Sequence, residues 1–453
     1  MYEAKRRETP NFLSKLWIGP VWVVLLDDVD SITKVFWRTI QKPWFYHIMS
    51  KTPGDELLQQ TNLTKWSKHR KIIGTSFRFF VLKLYTQIFF EEATILAKKM
   101  KDLATSKQAF EAENLVGLAT LNALLRSSFG VDFEIQQNYL SEHPYLEAVD
   151  TSFQIFLLRV LRPWLLIDFF YSRSGYKAQA KKSRSFQKDF ISSVIERIKT
   201  KIRQEKETSL KSKEDGSEKL FVPFVELVLR DKIDPHTPHG NFMSDRDLIQ
   251  EMGGILNAGF GTVKTTISII LNLLAVHPNI QEDVYNEIQA ILGNDPDKVP
   301  TYEQLQKLDL LNRVIKETMR LYPAVPIVAR SSPEELHLCG YTIPAGVTIA
   351  VFIYGLHRHP QHWPNPEQFN PDRFLPSESS KRHPNAFMPF SLGARNCLGY
   401  KYAMLQMKVT VSTILRRYKV LVGDRCKTVE DIRFQFGLTL KTLPGNDIKL
   451  EPR

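Results

Sequence analysis

The segment FSLGARNCLG, residues 390–399, constrains this chain more than any other stretch. Phe390, Gly393, Arg395, Cys397 and Gly399 fall into the pattern F-x-x-G-x-R-x-C-x-G. With this composition, a chance match at all five positions is expected about once in 10,000 or less often. Glycines on both sides of a cysteine let the backbone turn tightly and lie against a flat partner. They also leave nearby amides free to hydrogen-bond the sulfur. Arg395 adds a fixed cation two residues from the thiol, suited to a carboxylate. The plain alternative is an inert, buried cysteine in a glycine-bearing turn. A lone cysteine would default to that reading, but five spaced positions argue against it.

A thiolate held this way can ligate heme iron, and its electron donation favours O–O cleavage. The remaining cysteines suggest no rival chemistry. Cys339, Cys397 and Cys426 are too few and too scattered for a disulfide framework or a zinc site, which points to a reducing compartment. With 43% hydrophobic and 24% charged residues, the chain is neither disordered nor fibrous. A chain of 453 residues can bury about three quarters of its unfolded surface, so a single domain over 1–453 is expected. The net charge of +12 suits an acidic partner or a membrane surface, with a merely solvated basic face as the alternative. No basic run carries the regular aromatic interleaving of a base-stacking platform, so no nucleic-acid partner is expected. No run reaches the ~18–20 apolar residues of a membrane helix, and the opening MYEAKRRETPNF is too polar for a signal peptide.

Residues 16–36 read as short apolar strands, broken at Gly19-Pro20, turning through DDVD into a helix. Helical spacing runs from about 84 to 130, through Ile88, Ala93, Leu96, Ala97 and Met100. The span 177–201 is a basic helix with a stripe of Phe186, Phe190, Val194 and Ile198, and QEKETSLKSKEDGSEK after it reads as an exposed loop. Further helices are predicted at 279–293, 302–321 and 399–416, with strands and Pro-rich turns beyond Pro323. The fold class is therefore mainly α, a large helical region with a small β-sheet.

A long helix begins near Asp245 and carries Gly253, Gly254, Gly259 and Gly261 in its middle. Glycine costs about 1 kcal/mol relative to alanine inside a helix, so something must compensate. Close approach of a flat ligand, a local helix distortion, or tight helix–helix packing would each do so.

With these residues in view, the chain resembles the cytochrome P450 family of heme-thiolate monooxygenases, and within it the animal family 4 clan. GDELLQQTNLTKWSKHRKIIGTSF and RHPNAFMPFSLGARNCLG carry the finer likeness. The resemblance implies heme b held non-covalently, with Cys397 as axial thiolate in a loop shaped by Phe390 and Gly393. Trp66 and Arg70, the only W-x-x-x-R here, would hold a heme propionate together with Arg330 and Arg395. Glu317, Arg320 and Arg373 would form a structural ion-pair network. Thr262 falls at the family's oxygen-side alcohol, but Gly261 stands where an acid belongs; a register through Thr265-Thr266 fits less well. Ala258 replaces the glutamate that some clan members esterify to heme.

The implied activity inserts oxygen from O2 into an apolar C–H bond of a fatty-acid-like or xenobiotic substrate. Electrons would come from NADPH through NADPH-cytochrome P450 reductase, on the cytosolic face of the endoplasmic reticulum membrane. The pocket would draw on segments near 40–60, 150–170 and 255–262. The likeness also implies an N-terminal truncation that removes the anchor and first elements. Two rivals remain at this stage: a non-catalytic heme-binding protein, and a reductase-independent heme-thiolate isomerase or dehydratase.

Overall fold

The computed structural model describes residues 13–18, 21–46, 62–139, 142–211, 222–233 and 243–453. The Gly19-Pro20 break, the whole GDELLQQ stretch with residues 47–60 of the expected pocket segment, residues 212–221 and the first twelve residues lie outside the described residues.

Near the start, β1 (Leu13–Ile18) and β2 (Val21–Leu26) pair antiparallel and lead into α1 (Val29–Arg38). Asp28 starts α1, its carboxylate accepting the Ser31 amide at 2.8 Å. Farther along, β3 (Ile327–Ser331) and β4 (Thr348–Phe352) complete a four-stranded sheet ordered β1-β2-β4-β3. The β2–β4 pairing is parallel and β3–β4 antiparallel, with Arg330 opposite Ile349.

The helical part surrounds a long central helix, α7 (Asp245–Val276), capped by Ser244 on the Asp247 amide. It packs against α4 (Ala112–Phe129) on one side and touches α11 (Tyr400–Leu415). The flanking helices are α2 (Leu63–Ile73), α3 (Phe79–Lys99), α5 (Pro144–Leu161), α6 (Tyr176–Lys211), α8 (Pro278–Leu292), α9 (Tyr302–Lys307) and α10 (Asp309–Leu321). The main core lies among α3, α4, α7, α10 and α11.

Several expectations change. The helical spacing over 84–130 resolves into three helical pieces, since α3 ends at Lys99, a short helix spans Lys101–Ser106, and a strand at Phe110–Glu111 precedes α4. The predicted 302–321 helix divides at Leu308. α6 continues to Lys211, so the polar stretch begins as helix rather than loop. On α6, Val194 and Ile198 are fully buried whereas Phe186 is 40% exposed, so the buried stripe omits it. Among the described residues, one segment is long and apolar enough to cross a membrane by composition, contrary to the sequence expectation. It is α7, whose apolar window has mean hydropathy 1.5 and is 78% buried inside the protein. Its apolarity serves the core.

Candidate functional site

The cysteine loop closes through its own backbone. The Cys397 amide donates to the Phe390 carbonyl at 2.9 Å, and the Asn396 amide to Gly393 at 3.1 Å. Gly393 has φ +70°, and a Cβ there would lie 2.0 Å from the Phe36 carbonyl oxygen. Only glycine lets the loop rest on the backbone of α1. Cys397 is exposed, yet the surrounding protein raises its thiol pKa by burial. The Gly399 amide and the Arg70 guanidinium pull it back down. Arg70 is itself fixed to the loop, donating to the Asn396 carbonyl at 3.0 Å and its side-chain oxygen at 2.7 Å.

Around this loop sits a group of cations. Arg395 donates to the Ile40 carbonyl at 3.0 Å and lies 4.0 Å from the Trp66 ring centroid. Arg330 lies 4.4 Å from the Phe36 ring and reaches Ser391 at 3.4 Å. Burial, with Arg330 and Arg70 adding to it, lowers Arg395 to about 9; burial lowers Arg330 to about 10. Guanidinium groups remain protonated here, so these shifts express burial first and, for Arg395, mutual repulsion second. Among the described residues, no carboxylate acts on Arg330, and Arg330 Nε and Trp66 Nε1 are both buried without a hydrogen-bond partner. Buried donors left unmet cost about 1–3 kcal/mol each, and a ligand with anionic oxygens would meet them. Among the described residues no three His, Cys, Asp or Glu side chains converge to hold a metal. A heme, with one iron and two carboxylates, fits this donor set.

The second charge cluster is built around a buried carboxylate. Arg320 forms two bonds to Glu317, at 2.7 and 2.8 Å, and both side chains are fully buried. Arg373 approaches Glu317 at 3.4 Å and donates to the Pro364 and Asn365 carbonyls. Arg320 also donates to the carbonyls of His357, Pro366 and Gln368.

On α7, Thr262 Oγ1 donates to the Ala258 carbonyl at 2.9 Å. Thr266 and Ser268 make the same bond one turn back, so this geometry is ordinary helix back-bonding. α7 runs as an uninterrupted α-helix, without the distortion its glycines allow. Gly259 serves packing: a Cβ there would lie 2.7 Å from Leu124 Cδ2 of α4. At Gly261 nothing lies within 4 Å of an added Cβ, and Ala258 is exposed.

The Cytochrome P450 family model matches residues 4–446. The chain belongs to the cytochrome P450 family. Among its relatives, Cytochrome P450 4c3 of Drosophila melanogaster is 32% identical over 451 residues, covering 97% of this chain and 82% of that protein. Cytochrome P450 4V2 of Homo sapiens is 32% identical over 463 residues, covering 100% and 84%. Cytochrome P450 4c21 of Blattella germanica reaches 33% over 413 residues, covering 91% and 79%. The fold matches the crystal structure of the cytochrome P450DA heme domain with a TM-score of 0.81 at 22% identity, over 99% of this chain and 91% of that one. The family and fold make this P450 a heme-thiolate monooxygenase, working with O2, a redox partner and a small-molecule substrate. It is mainly α, with small sheets.

Sequence reasoning missed two residues beside this P450's cations, Lys42 and Tyr46. Both are buried, and Lys42 Nζ lies 4.6 Å from the Tyr46 ring. Nothing in QKPWFY marks them, because their position depends on contacts with strands and loops nearly 300 residues away.

Proposed function

We propose that this P450 hydroxylates an apolar C–H bond of a fatty-acid-like or xenobiotic molecule. In this reading Cys397 is the axial thiolate of a non-covalent heme b, and Trp66, Arg70, Arg330 and Arg395 hold its carboxylates. When bound, heme supplies oxygen activation; the chain supplies ligation, orientation and proton handling. The observation that carries the reading is the pairing of the Gly399-supported sulfur with the buried, unmet donors Trp66 Nε1 and Arg330 Nε. Phe390 and Gly393 hold the loop's shape through the Cys397 amide bond and the close approach to α1. Glu317, Arg320 and Arg373 tie the segment from His357 to Asn370 onto α10 as a structural network. Ala258 has no carboxylate, so it forms no ester to the heme.

Thr262 is the proposed proton-handling residue. Its hydroxyl must leave the Ala258 carbonyl to present its proton to the pocket, and that exchange stays within one turn of α7. Gly261 supplies no acid to support it, but leaves space beside it.

Electrons are proposed to come from NADPH through NADPH-cytochrome P450 reductase, on the cytosolic face of the endoplasmic reticulum membrane. Exposed Trp17, Leu161, Trp164, Phe169 and Phe170 support contact with a membrane surface. A small apolar crevice brings Phe45 beside Val160 and Leu166, which joins two of the segments proposed to line the pocket.

The reading is tested by the carbon monoxide difference spectrum of the reduced, heme-loaded protein, followed by turnover with NADPH and the reductase. A red-shifted Soret band that Cys397→Ala abolishes, with reductase-dependent product, is expected. A band at the ordinary heme position overturns the thiolate assignment, and product formed without reductase overturns the electron source.

A further inference from the structure

The central helix carries two polar anchors on the side away from its open face. Asn257 of α7, buried, accepts the Tyr145 hydroxyl of α5 at 2.8 Å and donates to Gln187 of α6 at 3.3 Å. Gln187 is itself fully buried and fixed, donating to the Ala148 carbonyl at 3.1 Å and to Ser152 at 2.8 Å. Seven residues on, the buried Lys264 pairs its ammonium with Glu113 of α4 at 3.1 Å. The stem of Lys264 passes over Gly117, where an added Cβ would lie 2.9 Å from Lys264 Cδ, so α4 is notched to admit it. Glu113 and Gly117 stand one turn apart on α4, which sets the path of that stem. At 3.6 residues per turn, Asn257 and Lys264 project to one side of α7. Thr262 lies roughly 140–160° around the axis from both, one turn after the exposed Ala258 whose carbonyl holds its hydroxyl. α7 also meets α4 through apolar contact, with Leu124 against Gly259. Apolar contacts are non-directional, whereas hydrogen bonds and a buried ion pair demand one orientation and fix register.

We propose that Asn257 and Lys264 are positioning residues for the reaction, anchors on the back of α7 that fix its rotation and thereby the direction in which Thr262 presents its hydroxyl. This rests on the reading of Thr262 as the proton-handling residue. A purely structural anchor matters through stability alone. A positioning anchor matters even when stability is intact. Replacing both partners of a buried ion pair with apolar residues separates the two, since that exchange is often neutral or stabilising.

The experiment compares heme-loaded wild type with Lys264→Met/Glu113→Leu and with Asn257→Leu/Tyr145→Phe, each replacing an anchor together with a partner. Three quantities are measured: thermal melting, the C–O stretch of the reduced carbon monoxide complex, and hydrogen peroxide released per NADPH with lauric acid as probe substrate. The stretch follows the groups beside the bound gas. We expect Lys264→Met/Glu113→Leu to melt at or above wild type and to keep the red-shifted Soret band. Its C–O stretch should nonetheless shift, and peroxide per NADPH should rise about threefold. Asn257→Leu/Tyr145→Phe should move the stretch and the peroxide in the same way. An unchanged stretch and unchanged peroxide in both variants overturn the assignment. So does a Lys264→Met/Glu113→Leu protein that melts lower or fails to fold, since the ion pair then serves the fold. A shifted stretch with unchanged peroxide overturns instead the reading of Thr262 on which the assignment rests. A wild type without the red-shifted band overturns the heme reading itself, and this assignment with it.

Discussion

Two buried charge clusters lie close to the cysteine loop, and they are built on opposite terms. Around Glu317 the arginines share a central carboxylate: Arg320 makes two bonds to it and Arg373 approaches it at 3.4 Å, although Arg373 Nε itself is left without a hydrogen bond. Around Arg330 the charges are of one sign, and two buried donors have no acceptor. A self-contained cluster adds nothing to ligand binding and holds the chain together. An open one is unfavourable until an anion arrives. The difference shows which part of a charged interior is scaffold and which is seat.

The sharpest way to break the comparison is to open the closed cluster. Glu317→Ala leaves Arg320 buried and unpaired, and breaking a buried pair this way costs about 3–5 kcal/mol. Loss of soluble protein, or a denaturation midpoint far below wild type in both heme-free and heme-loaded forms, is expected. An equal-sized change at Arg330 should behave differently. Arg330→Met is expected to leave the heme-free protein at least as stable as wild type and to weaken heme retention.

Gly393 tests the mechanical link between the two regions. An alanine there must adopt φ near +70° and clash with the Phe36 carbonyl, costing about 2–3 kcal/mol. Because the clash displaces the loop from α1, the thiolate signature in the carbon monoxide spectrum should decline along with stability. A normal spectrum at reduced stability would show that the loop keeps its shape without α1.

The closed cluster also carries a pH dependence of its own. His357 is fully buried, accepts the Met388 amide on Nε2 at 2.9 Å and gives its carbonyl to Arg320. Burial, then Arg320 and Arg358, lowers its pKa to about 3. The native state therefore keeps it neutral where the unfolded chain binds a proton. Stability from this residue is complete above about pH 6.5 and is lost as pH falls toward 3. The slope is about 1.4 kcal/mol per unit, or about 2 kcal/mol at pH 5. His143, lowered by burial to about 4, acts in the same direction, so the measurement is the difference from His357→Gln, which should unfold with a shallower acid slope. An unchanged slope would mean that His357 is already protonated in the native protein.

What the sequence reveals of these two regions follows from how local each one is. Gly393, Arg395 and Cys397 act within a single turn, so their spacing is legible. Glu317 and Arg320 stand three apart on one helix and can be paired on paper. Lys42 leaves no trace there, since its burial comes from bonds to Ser331 and Arg395. Gly259 left three readings open, a ligand, a helix distortion or helix packing, and only its contact with Leu124 of a different helix selects packing. The helix break after Met100 escaped for a related reason, because apolar spacing resumes in Ala112–Phe129 on a new axis. Local chemistry is legible; tertiary company is not.

The smallest expected effect separates the seat from the chemistry above it. Gly261 has open space where a side chain would go, and Thr262 beside it is held by the Ala258 carbonyl. Gly261→Asp would place a carboxylate within a turn of that hydroxyl without displacing any neighbour. Helix propensity also improves slightly on leaving glycine, by a few tenths of a kcal/mol. Stability and heme retention should therefore stay at wild-type levels. The variant should instead raise the fraction of NADPH converted to product, by about twofold, because the acid offers the hydroxyl a second partner and a source of protons. Coupling that stays flat while heme retention is intact would mean that proton supply at Thr262 does not limit this enzyme. A loss of heme would show that the space beside Gly261 belongs to the seat after all.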